Sequence, residues 1–216
     1  RYTNMLSAAG SMDLGRFKMQ ASALGTFIND KLAGRQAPEP KQVFTPAVYA
    51  SYTLLNNREL GVRAFYKRSF RMPTFNDLYY ADMGNSQLNP ERVTQYNAGV
   101  LWDHHTRGLL ENLRFSADVY YNTVRDKIVA YPKGQQFRWT MLNLGRVQIR
   151  GIDVQAVASM QPLRDLNITL RAQYTFQRAI DVTSPADNYY RHQIPYIPRN
   201  SGSAVANLTW RQWGLN

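Results

Sequence analysis

"LNITLRAQYTF" (residues 166–176) is the stretch that decides the fold. Leu166, Ile168, Leu170, Ala172, Tyr174 and Phe176 are apolar, while Asn167, Thr169, Arg171, Gln173 and Thr175 between them are polar. A period of two puts alternate side chains on opposite faces of an extended strand. The segment is therefore read as a strand with one oily and one wet face. Residues 113–122 repeat the split, with Leu113, Phe115, Ala117, Val119 and Tyr121 against Arg114, Ser116, Asp118, Tyr120 and Asn122. So do residues 94–102, where Thr94, Tyr96, Ala98, Val100 and Trp102 oppose Gln95, Asn97 and Gly99. Less regular versions at 17–28, 43–55, 58–70, 152–160 and 202–210 bring the expected total to eight strands, or nine with residues 1–10.

Alternation alone does not choose the solvent, because the strands of a soluble sandwich alternate too. Length and connections discriminate better. Soluble strands average about 5–6 residues and bilayer-crossing strands about 9–11, and most segments here are of the longer kind. Asn56-Asn57, Asp103–Asn112, Gln161–Asp165 and the turn at Gln212-Trp213-Gly214 are mostly short, whereas 30–42, 71–92, 125–141 and 179–200 between them are long. Tight turns at one end and long loops at the other are what an outer-membrane barrel produces. The expected fold is all-β, built of antiparallel transmembrane β-barrel strands, with the apolar series toward lipid and the polar series toward the lumen. Trp102, Tyr121, Phe176 and Trp210, near strand ends, are candidates for the interfacial aromatic girdles.

Composition narrows the function classes. The 216 residues are 44% hydrophobic, with no uninterrupted apolar run near the ~18 residues of a membrane helix. Cysteine is absent, which excludes a disulfide framework and thiolate metal sites. Twenty-six basic against fifteen acidic residues give a net charge of +11, yet no run of five or six basic residues exists. Lys18, Arg63, Lys67, Arg114, Arg150 and Arg171 recur singly inside alternating segments, and helix-turn-helix and zinc-finger spacings are missing, so no nucleic-acid partner is expected. His104-His105 stand in an expected turn beside Asp103, and adjacent strand residues face opposite ways, so neither a metal site nor a cofactor is expected. No nucleophile triad spacing, phosphate loop or paired-carboxylate set points to an enzyme. The chain opens at Arg1 in a strand-like run with no leader segment and is read as a piece of a longer protein.

"FRMPTFNDLYYADMGNSQLNPERVTQYNAGVLW" (residues 70–102) ends one strand, detours, and resumes as another. Pro73 cannot donate to a ladder and is expected to stop the first strand. Gly84-Asn85 is read as a turn with permissive backbone angles. Asn89-Pro90 restricts the backbone before pairing resumes, and Glu91 is a candidate acceptor for loop backbone N–H groups. Gly151 inside a strand suggests a bulge or a close backbone approach.

These pieces, in this order, resemble the C-terminal half of the barrel of TonB-dependent outer-membrane receptors. The resemblance is carried by "FYKRSFRMPTFNDLYY" (65–80), "GNSQLNPE" (84–91), "QYNAGVLW" (95–102), "DVYYNTVRDKIV" (118–129), "NLGRVQIRGIDV" (143–154), "YTFQRAID" (174–181) and "YIPRNSGS" (196–203). It covers residues 60–210, and 1–59 match as generic barrel strands. The resemblance implies a partial receptor barrel over 1–216, a fragment of a 22-stranded barrel, with plug and closing strands outside it. It also implies active import of a scarce nutrient without catalysis, in the outer-membrane lipid. The partners would be the TonB-ExbB-ExbD complex acting through the plug, a surface lipoprotein as a further candidate, and a small-molecule or metal-chelate ligand.

The alternation makes Arg63, Lys67, Arg114, Asp118, Asp153, Arg171 and Gln173 the lumen- and plug-facing candidates. Ligand-binding candidates are Arg71, Asn76, Asp77, Tyr79, Tyr80 and Asn85 in one loop, and Lys133, Phe137, Arg138 and Trp139 in the next. Tyr189, Tyr190, Arg191 and His192 form a third group. Aromatics offer stacking area and basic groups offer charge-assisted hydrogen bonds to an anionic ligand. Haem receptors of the family carry a histidine between the boxes that here read "FRMP" and "NSQL", and residues 71–88 have none. The "YYNTVRDKIV" and "GRVQIRGIDV" pieces resemble the cobalamin receptor, so cobalamin stands first and a ferric siderophore beside it. A haem receptor and a passive porin are the alternatives.

Overall fold

The structure is a computed structural model that describes residues 2–29, 41–55, 59–80, 83–106, 108–133, 138–186, 188–195 and 197–215. Ten strands follow one another, β1 (Tyr2–Leu14), β2 (Phe17–Asn29), β3 (Lys41–Thr53), β4 (Leu60–Arg71), β5 (Glu91–His105), β6 (Leu110–Lys133), β7 (Arg138–Leu163), β8 (Leu166–Asp181), β9 (Asn200–Trp210) and β10 (Trp213–Leu215). A short helix, α1 (Phe75–Tyr79), lies between β4 and β5. Each strand pairs antiparallel with its sequence neighbours, giving one sheet in the order β1 to β10.

The register converts the alternation into two continuous faces. Ala64, Ala98, Val119, Ile152 and Phe176 follow one another across β4 to β8. Arg63, Gly99, Asp118, Asp153 and Thr175 form a neighbouring row on the other face. The apolar face is no core, since Val119 is 52% and Ile152 44% exposed. The chain exposes 15447 Å², against roughly 10,000 Å² for a compact monomer of its mass. A sandwich would cover the apolar face with a second sheet. Among the described residues, the buried cluster of Val124, Val147, Ala179 and Ile194 instead sits on the polar face, where a long connection folds back. β1 is exposed along its whole length, and such an unpaired edge is a template for another strand.

Trp102 and Trp210 lie on the apolar face toward the short turns, and Tyr121 and Phe176 lie on it toward the long connections. This is the placement that girdles at the two ends would require.

Several expected boundaries move. The long connection at 125–141 is mostly strand, because β6 runs to Lys133 and β7 starts at Arg138. Val129 pairs with Leu142 and Tyr131 with Thr140, an apolar and aromatic ladder that extends the hairpin past Asp126, where φ is 55°. At the other end β5 continues to His105 and β6 begins at Leu110, shortening the turn expected at 103–112. The last turn falls at Arg211-Gln212, with φ of 52° at Arg211, and Trp213–Leu215 forms a tenth strand instead of a turn. Asn56-Asn57 and most of 30–42 lie outside the described residues.

Candidate functional site

The connections between β4 and β5 and between β8 and β9 lie at one end of the sheet, and β7 supports both. In the connection between β4 and β5, Thr74 caps α1 through a reciprocal box: its Oγ1 accepts the Asp77 N–H at 3.1 Å and Asp77 Oδ2 accepts the Thr74 N–H at 2.9 Å. The Met141 N–H donates to the Met83 carbonyl at 2.8 Å, and Asn85 Nδ2 donates to the Met141 carbonyl at 3.1 Å. Asn143 completes the attachment. Its Oδ1 accepts the Asn89 N–H at 2.8 Å, while its Nδ2 donates to the carbonyls of Asp126 at 2.7 Å and Asn89 at 3.2 Å.

Below that loop sits Glu91, 7% exposed. Its Oε2 accepts from Arg71 Nη2 and from the Ile128 N–H, both at 3.2 Å, and Lys127 Nζ is 3.7 Å from Oε1. Arg71 also faces Asp77 at 3.6 Å. One buried carboxylate thus ties the last residue of β4 to β6, and the backbone N–H it accepts belongs to β6 instead of the loop.

The connection between β8 and β9 packs inward. Ile194 buries itself against Val124, Val147 and Ala179, with Val93, Leu144, Ile149 and Ile197 around it. Its tip is pinned at Asp181, whose carbonyl accepts the Arg191 N–H at 2.7 Å and whose N–H donates to the His192 carbonyl at 3.1 Å. Arg191 takes φ of 62° to make that turn. The Arg191 guanidinium lies 5.7 Å from the Tyr190 ring centroid, and the Tyr189 and His192 rings meet edge-on at 6.3 Å.

Placement divides the loop candidates. Arg71, Asp77 and Asn85 are engaged in holding the loop, whereas Asn76, Tyr79 and Tyr80 are exposed. Trp139 is half-buried at the start of β7, opposite Pro132. Phe137 and the side chains of Lys133 and Arg138 lie outside the described residues. Tyr189, Arg191 and His192 are exposed and Tyr190 is half-buried on the third loop.

Register puts Arg63, Lys67, Arg114, Asp118, Asp153, Arg171 and Gln173 on a single face. Arg63 reaches across β5 to Asp118 on β6, Nε to Oδ1 at 3.0 Å with a second contact from Nη2. Gly99 lies between them, and a Cβ there would meet the Asp118 carboxylate, so the crossing requires glycine. Asp153 accepts from the Thr175 hydroxyl at 2.7 Å and Arg114 pairs with Asp103.

The Gly84 reading changes, and of the two readings of Gly151 the close backbone approach holds and the bulge does not. Gly84 does not occupy the left-handed region, yet a Cβ there would sit 2.6 Å from Tyr80 N and 2.8 Å from Tyr80 O, so close approach explains it. Gly151 interrupts no pairing. The Tyr120 ring and the Phe176 carbonyl occupy the space a Cβ would need.

His104 and His105, at the end of β5, are apart from the long connections. His104 stacks on Trp102 at 5.5 Å and meets Glu59 Oε1 at 3.1 Å, and no group of three metal-ligating side chains occurs among the described residues. Asn143 and the Thr74 box were not among the expected residues. Thr74 and Asp77 stand at capping-box spacing, a legible signal, whereas Asn143 carries none.

Comparison with known proteins agrees with this architecture. Residues 10–216 match the family described as "TonB dependent receptor-like, beta-barrel". A vitamin B12 transporter, BtuB of Vibrio vulnificus (strain YJ016), is 33% identical over 88 residues, 41% of this chain and 13% of that one. The copper transporter OprC superposes with a TM-score of 0.69 at 14% identity, covering 96% of this chain and 32% of that one. The FrpB iron transporter of Neisseria meningitidis (F3-3 variant) gives 0.61 at 13% identity, over 97% and 30%. The chain thus spans about a third or less of each of these three proteins, and the structural likenesses speak for the fold alone. The chain belongs to the TonB-dependent receptor-like β-barrel family.

Proposed function

We propose that this chain is part of the wall of a 22-stranded barrel that imports a scarce nutrient across the outer membrane, with cobalamin first and a ferric siderophore beside it. The carrying observation is the two-faced sheet, one face apolar and the other polar, whose β8–β9 connection folds back and packs onto the polar face. Family membership supports the outer-membrane setting, and the similarity to a vitamin B12 transporter supports cobalamin. In this proposal the apolar face meets lipid, and Arg63, Lys67, Arg114, Asp118, Asp153, Arg171 and Gln173 line the lumen against a plug. TonB-ExbB-ExbD supplies the pull through that plug, and a surface lipoprotein is a further partner. No catalytic step is involved, as the family is a class of transporters.

Asn76, Tyr79 and Tyr80 with Trp139, Tyr189, Tyr190, Arg191 and His192 are the proposed ligand contacts. Arg71, Asp77 and Asn85 hold the first loop in place for them. The test is equilibrium binding of cobalamin, a ferric siderophore panel and haem to the full-length receptor in detergent. Saturable, tight binding of cobalamin or one siderophore is expected. Haem binding alone, or nonselective solute flux through the reconstituted protein, would overturn the assignment.

A further inference from the structure

Three arginines that are far apart in sequence lie side by side on the apolar face. Arg92 of β5 is the direct cross-strand partner of Arg125 of β6, and Arg125 is that of Arg146 of β7. Opposite residues in an antiparallel pair have Cβ atoms about 4.5–5.5 Å apart, where like charges repel. Arg68 of β4 stands one outward row lower, opposite Thr94. All four line one recess of about 500 Å³, together with Phe44, Tyr96 and Tyr121, and no carboxylate lines it. The four side chains are exposed and form no ion pair or side-chain hydrogen bond among the described residues.

The level of this recess identifies its occupant. Tyr66, Tyr96 and Tyr121 form one cross-strand row beneath it, with Ala64, Ala98 and Val119 below that. Such an aromatic row marks the edge of the hydrocarbon layer. The arginine row lies four residues further along β5 and β6, about 13 Å along strands that tilt across a bilayer and so less in depth, where β4 and β5 meet the long connection. That is headgroup depth. Guanidinium groups bind phosphate oxygens in a bidentate fork, and a doubly phosphorylated headgroup would offset the repulsion among three neighbouring cations. A soluble protein is disfavoured, because the recess continues an apolar belt that lipid would occupy.

We propose that this recess binds the phosphate groups of an anionic glycolipid of the outer leaflet, the lipid A part of lipopolysaccharide. It rests on the apolar face being lipid-facing and the long-connection end being outermost. The full-length receptor, purified in detergent and stripped of co-purified lipid, is titrated with bisphosphorylated lipid A, with dephosphorylated lipid A and with inorganic phosphate. Bound lipid is counted by native mass spectrometry.

The wild type should hold the phosphorylated lipid about tenfold or more tighter than the dephosphorylated one. The Arg92→Gln/Arg125→Gln/Arg146→Gln variant should lose that preference, and inorganic phosphate should not displace the lipid. A wild type indifferent to the phosphates overturns the proposal, a result that needs no variant to fold. Full displacement by inorganic phosphate also overturns it, making the recess a free-anion site. A fluorophore at Val119 separates the two levels. Quenching by brominated lipid without phosphate discrimination sinks the lipid A site alone, and no quenching sinks the lipid-facing assignment beneath it.

Discussion

Removing the Glu91 carboxylate tests how the first loop is held. Glu91→Ala leaves the Ile128 N–H on β6 without its acceptor and separates Arg71 and Lys127 from their shared anion. A buried donor left unsatisfied costs about 1–3 kcal/mol. The Arg71 side chain is 48% exposed, so its pair is screened and adds no more than about 1 kcal/mol. The sum is roughly 1–4 kcal/mol, concentrated where β4, β5 and β6 meet the loop. At tenfold per 1.4 kcal/mol, local opening should rise roughly 5- to 700-fold. Hydrogen exchange of the full-length receptor in detergent reads this directly at the Ile128 amide and in residues 83–90. Glu91→Gln keeps an oxygen for the amide and loses only the charge, so it should stay within about 1 kcal/mol of wild type. Exchange unchanged in Glu91→Ala, or equal damage from both variants, would refute the assignment of Glu91 as the tie.

Other expectations follow from the same geometry. Gly99→Leu must displace the Arg63–Asp118 pair and should destabilise the barrel by about 1–3 kcal/mol, read as a lower urea midpoint at unchanged slope. Leu170→Arg should weaken folding into vesicles by about 2–4 kcal/mol if Leu170 reaches the bilayer midplane, while the neighbouring Arg171→Gln should leave insertion unaffected. Asn143→Ala removes three hydrogen bonds to Asn89 and Asp126 and should speed exchange in residues 85–90 without moving the thermal midpoint of the whole barrel. Tyr79→Ala with Tyr80→Ala should lower ligand affinity while barrel stability stays within about 0.5 kcal/mol.

The sheet was legible because a half-wet environment writes a period of two into every strand, most cleanly at 113–122 and 166–176. The extension of β6 and β7 was not, since Asp126 and the Pro132-Lys133-Gly134 run look like loop chemistry, and the ladder that overrides them is a property of the pair. Arg71 and Glu91 fall on either side of the detour and become direct partners once β4 pairs with β5. Which loop side chains hold the fold and which stay exposed could not be read from residue type: Asp77 and Asn85 look as suited to a ligand as Asn76. The cluster of Arg92, Arg125 and Arg146 was hidden for the same reason. Charges read as scattered along the chain become neighbours through register.

The most direct measurement is a nitroxide scan along β8 of the receptor in lipid vesicles, one label each at residues 169 to 175. Labels at Leu170, Ala172 and Tyr174 should collide with oxygen, which concentrates in lipid, and those at Thr169, Arg171, Gln173 and Thr175 with a water-soluble nickel complex. Accessibility alternating at period two in those phases is the result a lipid-facing apolar series requires. The opposite phase, or uniform access to both reagents, would contradict a membrane barrel wall.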